Sequence, residues 1–282
     1  MIIIRVRGNF SLNKNKKTVA VAGLGAIGMR VARALDAGID GLALSAVSTR
    51  DLKKGKDRVS QFHTPPKVIP LGSLTKYADI VVECTPAAVF DEIASPAVDA
   101  GRIFIPCSCG QLIERQGLID RAKLTGARII VPTGALVGFD AVRAAAEGMI
   151  SDIRIITRKP PNGIMGAPYI VQNKIDLTKV KKPLRVFEGS VRDAAAGFPA
   201  NLNVAAALSM AGSGLDKTRV ELWADPTKKR NEHLIIVDSD STRFEIKIQG
   251  VPSPENPATG LLTPLSVIAT LKGLVSTFHV GS

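Results

Sequence analysis

Thr18-Val-Ala-Val-Ala-Gly23-Leu-Gly25-Ala-Ile-Gly28 joins a run of small and apolar residues to three glycines, and Val31, Ala34 and Leu35 continue from Ile27 at helical intervals. The run reads as a buried strand, a tight turn and a helix. Each glycine has its own task in such a turn: Gly23 makes the turn, Gly25 lets the backbone approach a pyrophosphate, and Gly28 lets the helix pack on the strand. Ala26 and Ile27 open the helix, whose first N–H groups are free to meet an anion. The stretch predicts a dinucleotide-binding βαβ unit.

Outward from it, Leu42–Ser48, Asp79–Glu83, Arg102–Pro106 and Arg128–Pro132 read as further buried strands, with helices over about 87–100 and 118–125 between them. Strands alternating with helices predict right-handed crossovers and a doubly wound parallel sheet of the Rossmann type. After Gly134 the pattern changes. An alanine-rich helix over 140–149 is followed by strands at Ile153–Thr157, Thr218–Trp223, His233–Asp238 and Thr242–Gln249, with helices at 203–211 and 264–274. This predicts a C-terminal α+β domain with a mixed or antiparallel sheet. The expected division is an N-terminal extension (1–16), a dinucleotide-binding domain (17–133), a substrate domain (134–262) and a C-terminal helix (263–282). Leu265, Ile268, Leu271 and Leu274 on that helix are expected to pack back on the first domain.

The chain has 282 residues, 45% hydrophobic and 22% charged, ordinary proportions for a globular protein. No apolar run approaches the roughly 18 residues of a membrane span. The net charge of +12 raises nucleic acid as a partner, but the basic residues are scattered and aromatics make up only 4%, which fits attraction of small anions better. Three cysteines, an odd number, predict free thiols and a reducing, cytoplasmic setting. Cys107-Ser-Cys109 lacks the companion ligands of a zinc site, so no metal is expected.

Ligands of open α/β sheets bind beyond the carboxyl ends of the strands. The candidate cofactor contacts there are Gly23, Gly25, Ala26, Ile27, Gly28, Ser48, Thr49, Arg50, Cys84, Thr85, Ser108, Gly110 and Ala135. An acidic residue after the second strand would accept from the adenosine ribose, whereas Ser48-Thr49-Arg50 offers two hydroxyls and a guanidinium. That triplet suits a 2′-phosphate, so the cofactor reads as NADP or NAD with NADP favoured; the competing reading has Asp51 hold the ribose. Of the three histidines only His233 opens an apolar strand, where its ordinary pKa near 6.5 suits proton transfer.

Phe198-Pro-Ala-Asn-Leu-Asn-Val-Ala-Ala-Ala207, Arg219–Asp225, Asn231-Glu-His233, Pro252–Gly260 and Leu265–Ala269 together resemble the L-aspartate dehydrogenase family over residues 17–274. The resemblance implies oxidation of L-aspartate to iminoaspartate, which yields oxaloacetate and ammonia or feeds NAD biosynthesis, and the reverse reductive amination. It implies His233 as the active-site histidine, Asn203 and Ala135 as cofactor contacts, and Ser108 and Gly110 on the nicotinamide side. Substrate carboxylates then call for Lys159, Asn256 and Thr259; alternation puts only one of Arg158 and Lys159 on the cleft face, and Lys159 is chosen. The chain departs from the family pattern at Thr49-Arg50, at Cys107-Ser-Cys109 with Gln111, and at Ala258. Other readings are a dehydrogenase of another small amino or hydroxy acid, akin to homoserine dehydrogenase or dihydrodipicolinate reductase, and a non-catalytic NADP sensor. A homodimer is expected.

Overall fold

The computed structural model describes residues 16–199, 202–256 and 259–281; almost all of the expected N-terminal extension, together with Ala258, lies outside them. The first unit runs β1 (Lys17–Ala22), α1 (Ala26–Asp36), β2 (Leu42–Ser48), α2 (Leu52–Val59), β3 (Lys67–Val68), β4 (Ile80–Glu83), α3 (Phe90–Asp99), β5 (Ile103–Pro106), α4 (Gln116–Thr125) and β6 (Arg128–Ile129). Its strands form one parallel sheet in the order β3-β2-β1-β4-β5-β6. The order reverses between β1 and β4, and the glycine turn lies at that switch point.

Period-two alternation divides β1 between two cores. Val19 and Val21 pack with Met29, Val31 and Leu35 of α1, while Ala20 and Ala22 face Phe90, Ile93 and Ala97 of α3. Helices thus cover both faces, which is why every β1 residue from Val19 to Ala22 is fully buried. Two elements were not anticipated. The charged stretch after Arg50 is α2, started by the Asp51 side chain accepting from Lys54 N–H, and the short β3 extends the sheet edge. The expected strand over 128–132 ends at Ile129, ahead of Pro132.

The second unit comprises α5 (Phe139–Ala146), β7 (Ile150–Lys159), α6 (Pro168–Gln172), β8 (Leu184–Ser190), α7 (Val191–Gly197), α8 (Asn203–Ala211), β9 (Arg219–Ala224), β10 (Glu232–Ser239) and β11 (Arg243–Gln249). Its sheet, ordered β11-β10-β7-β9-β8, is mixed: β7 and β9 run parallel and the other neighbours antiparallel. Ile153, Ile155, Val220, Leu222, Ile235 and Val237 point to one face and join a core with Val191, Ala194 and Leu208 from α7 and α8. β8, α6 and α7 escape the sequence reading. They flank the lysine- and proline-rich Lys179–Pro183, α6 before it and β8 and α7 after it, and Tyr169, Phe187 and Phe198, one from each neighbourhood, cluster with ring centres 5.3–5.4 Å apart.

The last helix, α9 (Leu262–Gly273), returns to the first unit, where Val267 and Leu271 are fully buried in the core that holds Val19, Leu24 and Met29. Of the expected face, Leu271 is buried there and Ile268 and Leu274 pack against the same core, while Pro264 and Val267 join the buried stripe in place of Leu265. Leu265 is half exposed because the helix rotates the i, i+3, i+7 row inward. Ser266 Oγ, on that inner side, accepts from Gly134 N–H at 3.0 Å and so ties the helix to the loop between the units.

Candidate active site

The glycine turn is built from close approaches. Gly23 has φ +88°, and a Cβ there would stand 2.5 Å from the Cys84 carbonyl oxygen; at Gly28 a Cβ would stand 1.9 Å from the Gly23 oxygen. Gly25 differs, since a Cβ there would meet nothing within 4 Å. Two glycines therefore serve the fold and the third borders open space, as a bound pyrophosphate requires. α1 begins at Gly25 without a side-chain cap, so its first-turn N–H groups remain available to an anion. These features fit a dinucleotide.

At the end of β2, Gly23 N–H donates to the Ser48 carbonyl at 2.8 Å, and the buried Ser48 hydroxyl has no partner among the described residues. Thr49 Oγ1 donates to the Asp51 carbonyl at 2.6 Å. The Asp51 carboxylate caps α2, where its Oδ1 accepts from Lys54 N–H at 3.1 Å. Arg50 remains exposed beside it.

The ends of β4 and β5 are organised by a residue the sequence reading passed over. Glu83 is fully buried and accepts from Thr85 N–H at 2.7 Å, Thr85 Oγ1 at 2.9 Å, Ser108 N–H at 2.9 Å and Ser108 Oγ at 3.2 Å. Burial raises its pKa against the pull of those donors. Thr85 and Ser108 are thus held by Glu83, with their hydroxyls engaged inside the protein. An acidic residue ending an otherwise apolar strand was the available signal.

Gly110 and Asn203 join the two units: Gly110 N–H donates to Asn203 Oδ1 at 2.9 Å, and Cys109 Sγ donates to the Asn203 carbonyl at 3.2 Å. Asn203 lines a cleft of about 600 Å³ whose walls include Ile27 from the glycine turn, Ala135, Lys159, His233 and Thr259. The cleft spans the sheet switch point of the first unit and the open end of the second.

His233 sits opposite Thr157 in the β10–β7 register, and its Nδ1 lies 2.9 Å from Thr157 Oγ1. Lys159, two residues on, shares that face. Burial, reinforced by the Lys159 charge, pushes His233 down to about 4, and burial pushes Lys159 down to about 8. The sequence reading took the ordinary value near 6.5; burial and the neighbouring Lys159 charge instead keep the imidazole neutral at physiological pH. Arg158 faces the other way, 4.5 Å above the Trp223 ring and 3.6 Å from Asp225. Asn256 is not among the cleft-lining residues; it lies on an exposed loop where its Nδ2 donates to Thr259 Oγ1 at 3.2 Å. Lys229, Arg230 and Asn231, from the β9–β10 turn, line the cleft and were not anticipated, since nothing in a polar turn marks which cavity it borders.

Known proteins resemble this arrangement. A family model described as the C-terminal part of aspartate dehydrogenase matches residues 140–274, and one described as the NAD-binding domain of homoserine dehydrogenase matches residues 23–132. The L-aspartate dehydrogenase of Bradyrhizobium diazoefficiens is 52% identical over 94% of each chain, and L-aspartate dehydrogenase 3 of Bordetella bronchiseptica is 47% identical over 94% of this chain and 97% of that one. The crystal structure of aspartate dehydrogenase from Thermotoga maritima superposes with a TM-score of 0.71 at 26% identity, covering 94% of this chain and 99% of that one. With near-complete coverage at that identity, the chain belongs to the aspartate dehydrogenase family.

Proposed function

We propose that this protein oxidises L-aspartate to iminoaspartate, and runs the reverse reductive amination of oxaloacetate with ammonia, using NADP in preference to NAD. The observation that carries this is the cleft that holds Ile27 of the glycine turn together with the His233–Lys159 pair. Nicotinamide, when bound, accepts the hydride from the substrate Cα.

The protein's own groups supply the rest. Thr157 occupies Nδ1 of His233, which leaves Nε2 as the ring nitrogen for proton exchange with the substrate ammonium. A neutral imidazole is the form that can accept that proton. Lys159, still charged below pH 8, provides a cation for a substrate carboxylate. Asn203 is fixed through Gly110 at the cleft wall, which supports a role in orienting the carboxamide of the ring. Exposed Arg50, with Asp51 diverted to helix capping, favours a 2′-phosphate at the adenosine end.

A homodimer accords with Ile156, Trp223, Leu234 and Ile236, which stand half exposed on the open face of the second sheet. Three free thiols support a cytoplasmic setting, where iminoaspartate would be at hand for NAD biosynthesis. The test is NADPH or NADH consumption with oxaloacetate and ammonium. Turnover that requires both is expected; no turnover dependent on both, with either dinucleotide, overturns the reading.

A further inference from the structure

Cys84 and Cys107 are the residues that follow the paired ends of β4 and β5: Glu83 is in register with Pro106, and Cys107 N–H donates to the Glu83 carbonyl at 2.9 Å. Neighbouring parallel strands lie about 4.8 Å apart, inside the roughly 4.4–6.8 Å Cα separation that a disulfide spans. The two side chains point to the same face, and their sulfurs are 3.6 Å apart. Both are partly exposed, and Cys107 lines the cleft. The third thiol, Cys109, is buried and committed to the Asn203 carbonyl.

The pair is also coupled to the glycine turn. Gly23 packs directly on the Cys84 carbonyl, and Glu83, between the two strand ends, holds Thr85 and Ser108 by hydrogen bonds. Closing 3.6 Å to a bond of about 2.05 Å draws together the two loops on which the turn rests. Neither thiol is used by the reaction proposed above.

We propose that Cys84 and Cys107 are a thiol-modification site in the floor of the dinucleotide cleft, closing to a reversible disulfide that weakens dinucleotide binding. With a peroxide as oxidant, one thiol loses its proton and attacks the peroxide oxygen, giving a sulfenic acid and water. The second thiol then displaces hydroxide from that sulfur, which leaves as water. Two thiols and one hydrogen peroxide thus give one disulfide and two waters; a dithiol reductant reverses the change. The Cys84 interaction and desolvation of the sulfur hold the Cys107 thiol well above the ordinary range.

The effect on binding rests on the dinucleotide reading, so the test separates the two. Reduced full-length protein is first titrated with NADH and NADPH by fluorescence, then treated with hydrogen peroxide, digested without reductant and mapped by mass spectrometry. The expected result is an 84–107 linked peptide pair, abolished by reductant and absent in Cys107→Ser and in Cys84→Ser, with a dinucleotide Kd raised at least about tenfold. Absence of the linked peptides while both thiols stay free or go to higher oxides overturns the site. A disulfide that leaves Kd unchanged overturns its consequence. Failure of the reduced protein to bind either dinucleotide overturns the functional reading instead, and the peptide map still decides the thiol pair.

Discussion

His233 Nδ1 stands 2.9 Å from Thr157 Oγ1 across the β7–β10 pair, both side chains buried at the edge of the cleft. The hydroxyl fixes the ring, so histidine chemistry and its orientation are separable by mutation. His233→Ala is expected to lower kcat about 100- to 10,000-fold, the usual worth of a general acid–base group. Thr157→Val should cost roughly 3- to 10-fold, one neutral hydrogen bond. Near-full kcat in the alanine variant would remove the assigned role.

The pH dependence of kcat/KM follows from the same pair. Below about 4 the imidazole gains a proton and can no longer accept one; above about 8 Lys159 loses its charge. A plateau bounded by those limbs is expected in the free-enzyme profile. Lys159→Arg should erase the alkaline limb, because a guanidinium stays protonated. An alkaline limb that persists unchanged would assign it to another group.

Lys159→Met should raise KM for aspartate and oxaloacetate by roughly 10- to 100-fold, the range of a hydrogen bond to a charged group. Dinucleotide Kd should stay within about twofold. Equal loss for substrate and dinucleotide would instead point to a disturbed cleft.

Glu83→Ala leaves three donors, Thr85 N–H, Thr85 Oγ1 and Ser108 N–H, without their acceptor, while Ser108 Oγ keeps the Thr85 carbonyl at 3.2 Å. A stability loss of roughly 2–4 kcal/mol is expected from urea unfolding, since unpaired buried donors keep their desolvation cost. A change under about 0.5 kcal/mol would show that the carboxylate does not organise these loops.

Arg50→Ala should weaken NADPH binding about tenfold or more and leave NADH within about twofold, because only the former carries the phosphate a guanidinium would contact. Equal affinities in the parent protein would dispose of the preference.

Much of this molecule is legible along the chain. The apolar run ending at Ala22, the glycines at 23, 25 and 28 and the alternation of strands with helices specify a parallel sheet with a turn at its switch point, because periodicity and backbone conformation depend on near neighbours. The motif series from Phe198 to Ala269 likewise carried the family resemblance. Alternation along β7 already pointed to Lys159 over Arg158, but only the tertiary structure decided what each site residue does with its polar atoms: that Thr85 and Ser108 serve Glu83, that Asp51 caps a helix, and that His233 is held neutral. Those partners lie far apart in sequence, 76 residues between His233 and Thr157 and 93 between Gly110 and Asn203. Desolvation, charge proximity and hydrogen-bond partnership are properties of the packed chain, so no local pattern of residues records them.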